Sequence, residues 1–126
     1  MKFIESKDAP KPIGAYSQAV ITKGKMFLSG QIGINPIAGK LVEGGIVQET
    51  EQVFSNIQAI LAEAGLSLSH VIKVTVLLSD MKDFTAMNDV YGKSFKGNYP
   101  ARSAFSVLEL PKGARVEIEV IAEIEG

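Results

Sequence analysis

Val116-Glu117-Ile118-Glu119-Val120-Ile121-Ala122-Glu123-Ile124 has the period of a β-strand with two unlike faces. Val116, Ile118, Val120, Ala122 and Ile124 point one way, towards a core. Glu117, Glu119, Ile121 and Glu123 point the other way. An isoleucine among those glutamates is out of place on a plain solvated face, so this side reads as an interface with chemistry of its own. The stretch 101–108 alternates likewise, with Ser103, Phe105 and Val107 opposite Arg102, Ala104 and Ser106. That pattern sets Arg102 on the polar side of the sheet, near Glu117 and Glu119. Pro111, Lys112 and Gly113 form the turn between these two strands.

Upstream the period changes. From Ile46, the positions Thr50, Val53, Phe54, Ile57, Ile60, Leu61 and Ala64 recur at the three-and-four spacing of one helical face. Gln48, Glu49, Glu51, Gln52, Ser55, Gln58 and Glu63 are then expected to face water, and Gly65 sits where a left-handed C-cap is wanted. The β-branched run 71–78 predicts a buried strand. Asp80 is a candidate N-cap, with Asp83 in the first turn. Phe84, Met87, Tyr91 and Phe95 mark a second amphipathic helix, which Asn98 and Pro100 end.

Nearer the amino terminus, 15–21 and 26–34 read as two strands joined by the turn Thr22-Lys23-Gly24-Lys25. Pro10, Pro12 and Gly14 make the segment before them an extended, turn-rich lead-in. The resulting order, β-β-α-β-α-β-β, describes a single α+β domain over residues 1–126. It has a mixed sheet with two helices on one face, and the other face still needs a cover.

Composition narrows the function. The 126 residues are 46% apolar and 21% charged, ordinary globular values that fit one core and one domain. Thirteen basic against fourteen acidic residues leave a net charge of -1, which supplies no surplus to hold a phosphate backbone or an anionic bilayer. With no cysteine there is no disulfide, thiolate nucleophile or cysteine-ligated metal. No apolar run approaches signal-peptide or membrane-span length, so the sequence reads as cytoplasmic.

Arg102 is the first candidate for chemistry, because a guanidinium is a planar, permanently charged fork that pairs bidentately with a carboxylate. Its small neighbours Ala104 and Ser106 leave room for a ligand. The same fork could instead close on an internal carboxylate such as Glu117 or Glu119, and spacing does not choose between the two. Either glutamate could act as a general base on water if partly desolvated, or could simply be solvated. Ser29-Gly30-Gln31 ends a strand with a glycine that lets a backbone N–H approach a ligand. Tyr16 and Asn88 are polar residues that structural hydrogen bonds explain equally well. His70 is the only histidine and reads as a loop residue, so a two-histidine metal site or acid–base pair cannot form within one chain. Nucleotide-binding fingerprints are absent.

Five segments together carry a resemblance: Ile13-Gly14-Ala15-Tyr16-Ser17-Gln18-Ala19, Ser29-Gly30-Gln31-Ile32, Phe84-Thr85-Ala86-Met87-Asn88-Asp89-Val90-Tyr91, Tyr99-Pro100-Ala101-Arg102-Ser103 and Val116-Glu117-Ile118-Glu119-Val120-Ile121-Ala122. Across nearly the whole chain the sequence resembles the reactive intermediate deaminase A (RidA) family, also called the YjgF/YER057c/UK114 family. The resemblance implies a chorismate-mutase-like (bacillus-type) fold assembled as a homotrimer, with three sheets around a central β-barrel and active sites in the clefts between subunits. It implies hydrolysis of enamine and imine intermediates such as 2-iminobutanoate and 2-iminopropanoate, released by pyridoxal-phosphate dehydratases, to 2-oxo acids and ammonia without any metal or organic cofactor. Position by position, Arg102 looks like the arginine that binds the substrate carboxylate, and Glu117 like the glutamate that activates water. Tyr16, Ser29, Gly30 and Asn88 look like the remaining substrate-binding positions. Where the family often has a cysteine, two residues after the arginine, this chain has Ala104, which excludes any mechanism needing that thiol. Two other readings remain: a carboxylate-binding regulatory module without turnover, and an RNA-cleaving translation inhibitor, an activity attributed to some family members that the charge and the single histidine disfavour.

Overall fold

The computed structural model describes residues 1–124. Among them the chain runs β1 (Lys2–Ile4), β2 (Ala19–Thr22), β3 (Lys25–Leu28), β4 (Gln31–Ile32), β5 (Ile34–Asn35), β6 (Lys40–Leu41), α1 (Ile46–Glu63), β7 (Val71–Leu78), α2 (Phe84–Phe95), β8 (Ala101–Ser106) and β9 (Val116–Glu123). One mixed sheet has the order β1-β2-β3-β9-β7-β8, with β4 also paired to β9, and β5 with β6 forms a separate small hairpin. All of the large sheet's pairings are antiparallel except β7 with β8, which α2 connects. No helix among the described residues is long and apolar enough to cross a membrane.

The β2–β3 hairpin closes through Lys23 and Gly24, both at positive φ (49° and 77°), the backbone that matches the twist of paired strands. Three expectations change in this region. The strand expected over 15–21 begins only at Ala19. The lead-in opens on a real strand, β1, whose Phe3 pairs with Val20 before the prolines begin. The expected strand 26–34 is broken into β3, β4 and β5, because Gly33 must pass directly beneath α1. A Cβ at Gly33 would stand 2.9 Å from both the Cα and the carbonyl oxygen of Glu49.

Both helices cover the same face of the sheet. The core joins Val53, Phe54, Ile57, Ile60 and Leu61 of α1 and Met87, Tyr91 and Phe95 of α2 to Val74, Val76, Val116, Ile118, Val120 and Ala122 of the central strands. Burying each such aliphatic side chain stabilises the fold by roughly 1.5–3 kcal/mol relative to leaving it exposed. Helix α1 follows its predicted face, and Gly65 after it takes the left-handed conformation, φ 73°. Helix α2 is preceded by a single 3-10 turn, Met81–Asp83, which Asp80 caps by accepting the Lys82 N–H at 2.9 Å.

Among the described residues no helix covers the opposite sheet face. Phe3, Phe27 and Phe105 stand there 65%, 41% and 48% exposed, with the half-buried Val20, Leu77 and Ile121 between them. Glu117 and Glu119 share this face, since Leu77 pairs with both Glu117 and Phe105, and Thr75 with both Glu119 and Ser103.

Candidate active site

Glu117 lies in a cleft of about 290 Å³ between β9, the end of β3 and the lead-in segment. Pro10, Ile13, Ile32 and Ile34 give the cleft largely apolar walls, and Tyr16, Ser29, Gly30 and Gln31 supply its polar groups. Gly30 is required by close approach. A Cβ there would come within 2.5 Å of the Glu117 Oε2 and 2.9 Å of its Cδ. Partial burial pushes the Glu117 carboxyl above its ordinary value of 4.5, and the negative charge of Glu119 on the same face pushes it further the same way. A carboxylate so placed is a better proton acceptor than a solvated one.

The surroundings of Glu117 are tightly specified. The Ser29 hydroxyl donates to the Ser17 carbonyl at 2.6 Å, so within one chain it ties β3 to the segment before β2. The Tyr16 phenol oxygen accepts the Ile13 N–H at 3.3 Å, which leaves its own O–H available to the cleft. Glu49, expected to face water, is instead buried and accepts the Arg115 N–H at 2.8 Å, fixing the entry to β9 two residues before Glu117. Fully buried Asn56 donates to the carbonyls of Ile32 and Ile34 and so holds β4 beside β9. Sequence reading missed both, because their partners are backbone groups far along the chain.

Arg102 occupies a second, separate cleft with Asn88, Tyr91, Gly92, Tyr99 and Pro100. Its Nη1 donates to the Asn88 Oδ1 at 2.7 Å, and its guanidinium carbon stands 4.5 Å from the Tyr91 ring centroid and 5.5 Å from that of Phe84. Among the described residues it makes no ion pair, so the alternative of an internal carboxylate partner does not hold. Burial pushes the Tyr91 hydroxyl above its ordinary value of 10.0, outweighing the opposing pull of Arg102.

The two clefts do not meet within the chain. Arg102 pairs with Val74 on the helix-covered face, whereas Glu117 pairs with Leu77 on the open face. The expected grouping of Arg102 with Glu117 on one polar face is therefore wrong. The small neighbour Ala104 shares the face of Arg102 and packs against the core. His70 caps a 3-10 turn, its Nδ1 accepting the Ser67 N–H at 3.1 Å. No cluster of three or more His, Cys, Asp or Glu side chains among the described residues is placed to hold a metal ion.

The family model described as "Endoribonuclease L-PSP" matches residues 6–124. The chain belongs to this family, the YjgF/RidA family. A goat relative named 2-iminobutanoate/2-iminopropanoate deaminase is 50% identical over 121 residues, which cover 96% of this chain and 88% of the goat protein. The crystal structure of the Rid-family protein YyfA from Yersinia pestis matches with a TM-score of 0.95 at 47% identity, over 98% of each chain. That of E. coli TdcF with bound serine matches with a TM-score of 0.94 at 38% identity, over 99% of this chain and 100% of TdcF. The mixed α+β architecture of the Rid structures is thus the fold of this RidA-family chain.

Proposed function

We propose that this RidA-family chain is an enamine/imine deaminase that hydrolyses 2-iminobutanoate, 2-iminopropanoate and their enamine tautomers to 2-oxo acids and ammonia. The observation that carries this is the state of Arg102. Its guanidinium is steered by Asn88 and two aromatic rings and retains donors that no carboxylate among the described residues takes up. A fork fixed in this way suits the carboxylate of a small 2-imino acid. The curated relatives that carry the deaminase name support the same activity.

Because Arg102 and Glu117 occupy different clefts on opposite sheet faces, the complete site is assembled between two copies of the chain. The open face with its exposed phenylalanines supports the homotrimer that the family resemblance implies, three such faces meeting around a central barrel. Arg102 of one copy then holds the carboxylate, and Glu117 of the next takes a proton from water as the oxygen adds to the iminium carbon. Glu117 then returns the proton to the carbinolamine nitrogen; the C–N bond breaks, neutral ammonia leaves, and the hydroxyl gives up its proton to form the 2-oxo group. Gly30, Tyr16 and Ser29 line the cleft of Glu117, and Asn88 orients Arg102. No cofactor enters the step.

A carboxylate-binding module without turnover is the second reading, favoured by the serine bound to TdcF. RNA cleavage, the activity in the family model's description, is disfavoured here by the net charge of -1 and by a lone histidine already engaged in a turn cap. The purified chain, added to a dehydratase reaction that releases 2-iminobutanoate, is expected to accelerate 2-oxobutanoate formation, and Arg102→Ala to abolish that acceleration. No acceleration over buffer, or full activity in Arg102→Ala, refutes the deaminase.

A further inference from the structure

Arginine is a flexible side chain, and on an edge strand little restrains it. Arg102 stands on β8 at the sheet edge, yet three side chains of α2 hold its guanidinium. Phe84, Asn88 and Tyr91 fall at i, i+4 and i+7, one face of the helix, so a single rigid element carries the whole cradle. Tyr91 is its nearest ring, 4.5 Å from the guanidinium carbon and 4% exposed. The Tyr91 ring also packs against Phe95 at 4.7 Å and, nearly perpendicular, Phe54 at 5.8 Å. Its hydroxyl is buried and has no hydrogen-bond partner among the described residues, so the work of the side chain in this chain belongs to the ring.

We infer that Tyr91 is the positioning residue for Arg102: its ring face orders the guanidinium before substrate arrives, so that the donors not used by Asn88 point at the incoming carboxylate. This rests on the proposed role of Arg102 as carboxylate anchor and extends it to a residue that does not touch substrate. The expected consequence is specific to binding. Ordering a long side chain in advance lowers the entropic cost of capturing the ligand and leaves the chemistry of bound substrate nearly unchanged. Removing the ring should therefore weaken capture by roughly tenfold, the scale of one desolvated cation–π contact. Turnover at saturation should fall much less.

The test uses the full chain in its native assembly, with 2-oxobutanoate as probe. In the wild type, the Arg102 Nε–H proton should resonate upfield of the other arginine, displaced by the ring current of Tyr91. Its absence there overturns the proposal without any variant. Tyr91→Leu should lose the displacement and raise both the 2-oxobutanoate Kd and the KM for imine roughly tenfold, with kcat within about threefold of wild type. Tyr91→Phe, which keeps the ring, should restore all three. Phe95→Leu removes a ring from the same cluster but keeps the Tyr91 ring beside Arg102, and should lower the melting temperature while raising Kd far less than Tyr91→Leu does. Wild-type Kd in Tyr91→Leu, or an equal loss in Phe95→Leu, overturns the positioning role. A wild type that binds 2-oxobutanoate through Arg102, loses that binding in Tyr91→Leu and still fails to hydrolyse imines upholds the positioning role and removes the deaminase.

Discussion

Arg102 and Glu117 flank the same central strand yet stand on opposite faces of the sheet, one opposite Val74 and the other opposite Leu77. The two side chains line separate clefts of the chain, so under the proposed function a complete site draws one of them from each of two copies. Arg102→Ala and Glu117→Gln should each abolish imine hydrolysis when assayed alone. Mixing the two after unfolding and co-refolding should restore activity, because a site formed by wild-type Arg102 from one variant and wild-type Glu117 from the other is intact. Random pairing in a cyclic homo-oligomer makes about a quarter of the sites intact. Activity that stays at zero across all mixing ratios would place the whole site within one chain.

Gly30 is the residue that lets Glu117 lie against β4. Its φ is not in the left-handed region, so alanine brings no backbone strain, only a Cβ 2.5 Å from the Glu117 Oε2. The flexible glutamate should swing aside while the fold persists. Gly30→Ala is expected to lower kcat by roughly 100-fold or more, the scale of what a well-placed general base contributes, and to change unfolding free energy by less than about 1 kcal/mol. A crystal structure with Glu117 unmoved, or unimpaired kcat, would contradict this account.

Glu117 must be ionised to accept a proton, and its carboxyl is raised first by burial and then by Glu119. The acid limb of kcat/KM should accordingly lie above the ordinary carboxylate value of 4.5, and Glu119→Gln should move it to lower pH. The stability consequence has the opposite sense to that of a salt-bridged acid. A carboxyl whose folded pKa is raised contributes its full stability below the unfolded pKa and loses it as pH rises through the folded value. Glu117→Gln should thus be more stable than the wild type at neutral pH, with the gap closing below 4.5. A gap that widens on acidification would reverse the assigned shift.

The elements legible from the sequence were those whose burial is one-sided. Strand β9 and helix α1 alternate because one face of each is sealed by the core, and their periods follow directly. Strand β8 is an edge, and none of its six residues is fully buried, so its pattern carried no sign of which side faced the helices. Only the register with β7 shows that Arg102 and Ala104 face α2 while Ser103 and Phe105 share the side of Glu117. Glu49 and Asn56 escaped notice for another reason. Each looks like helix surface until the chain folds, when backbone groups 66 residues away for Glu49, and 24 and 22 away for Asn56, arrive to be paired. The helical period places Tyr91 on the core side, where it lies, but its contact with Arg102 depends on the same β7–β8 register.

Gln18 fastens the wall of the Glu117 cleft. Its side chain is 1% exposed, and its Oε1 accepts the Ser6 N–H at 2.6 Å while its Nε2 donates to the carbonyls of Ser6 and Pro10 at 3.2 and 2.8 Å. Three backbone groups of the lead-in are thereby satisfied by one amide, and the segment they secure runs on into Pro10, Lys11 and Ile13 beside Glu117. Gln18→Leu keeps the volume and strands those groups, at a cost of about 2–4 kcal/mol in unfolding free energy measured by urea denaturation. The loosened lead-in should also open to trypsin at Lys7, and KM should rise because one cleft wall is no longer held in place. Gln18→Glu retains the acceptor for the Ser6 N–H but sets a carboxylate against two carbonyls, so it should be at least as damaging at neutral pH as leucine. If both variants match wild type in urea midpoint and in cleavage rate at Lys7, the lead-in is secured by its packing and not by this amide.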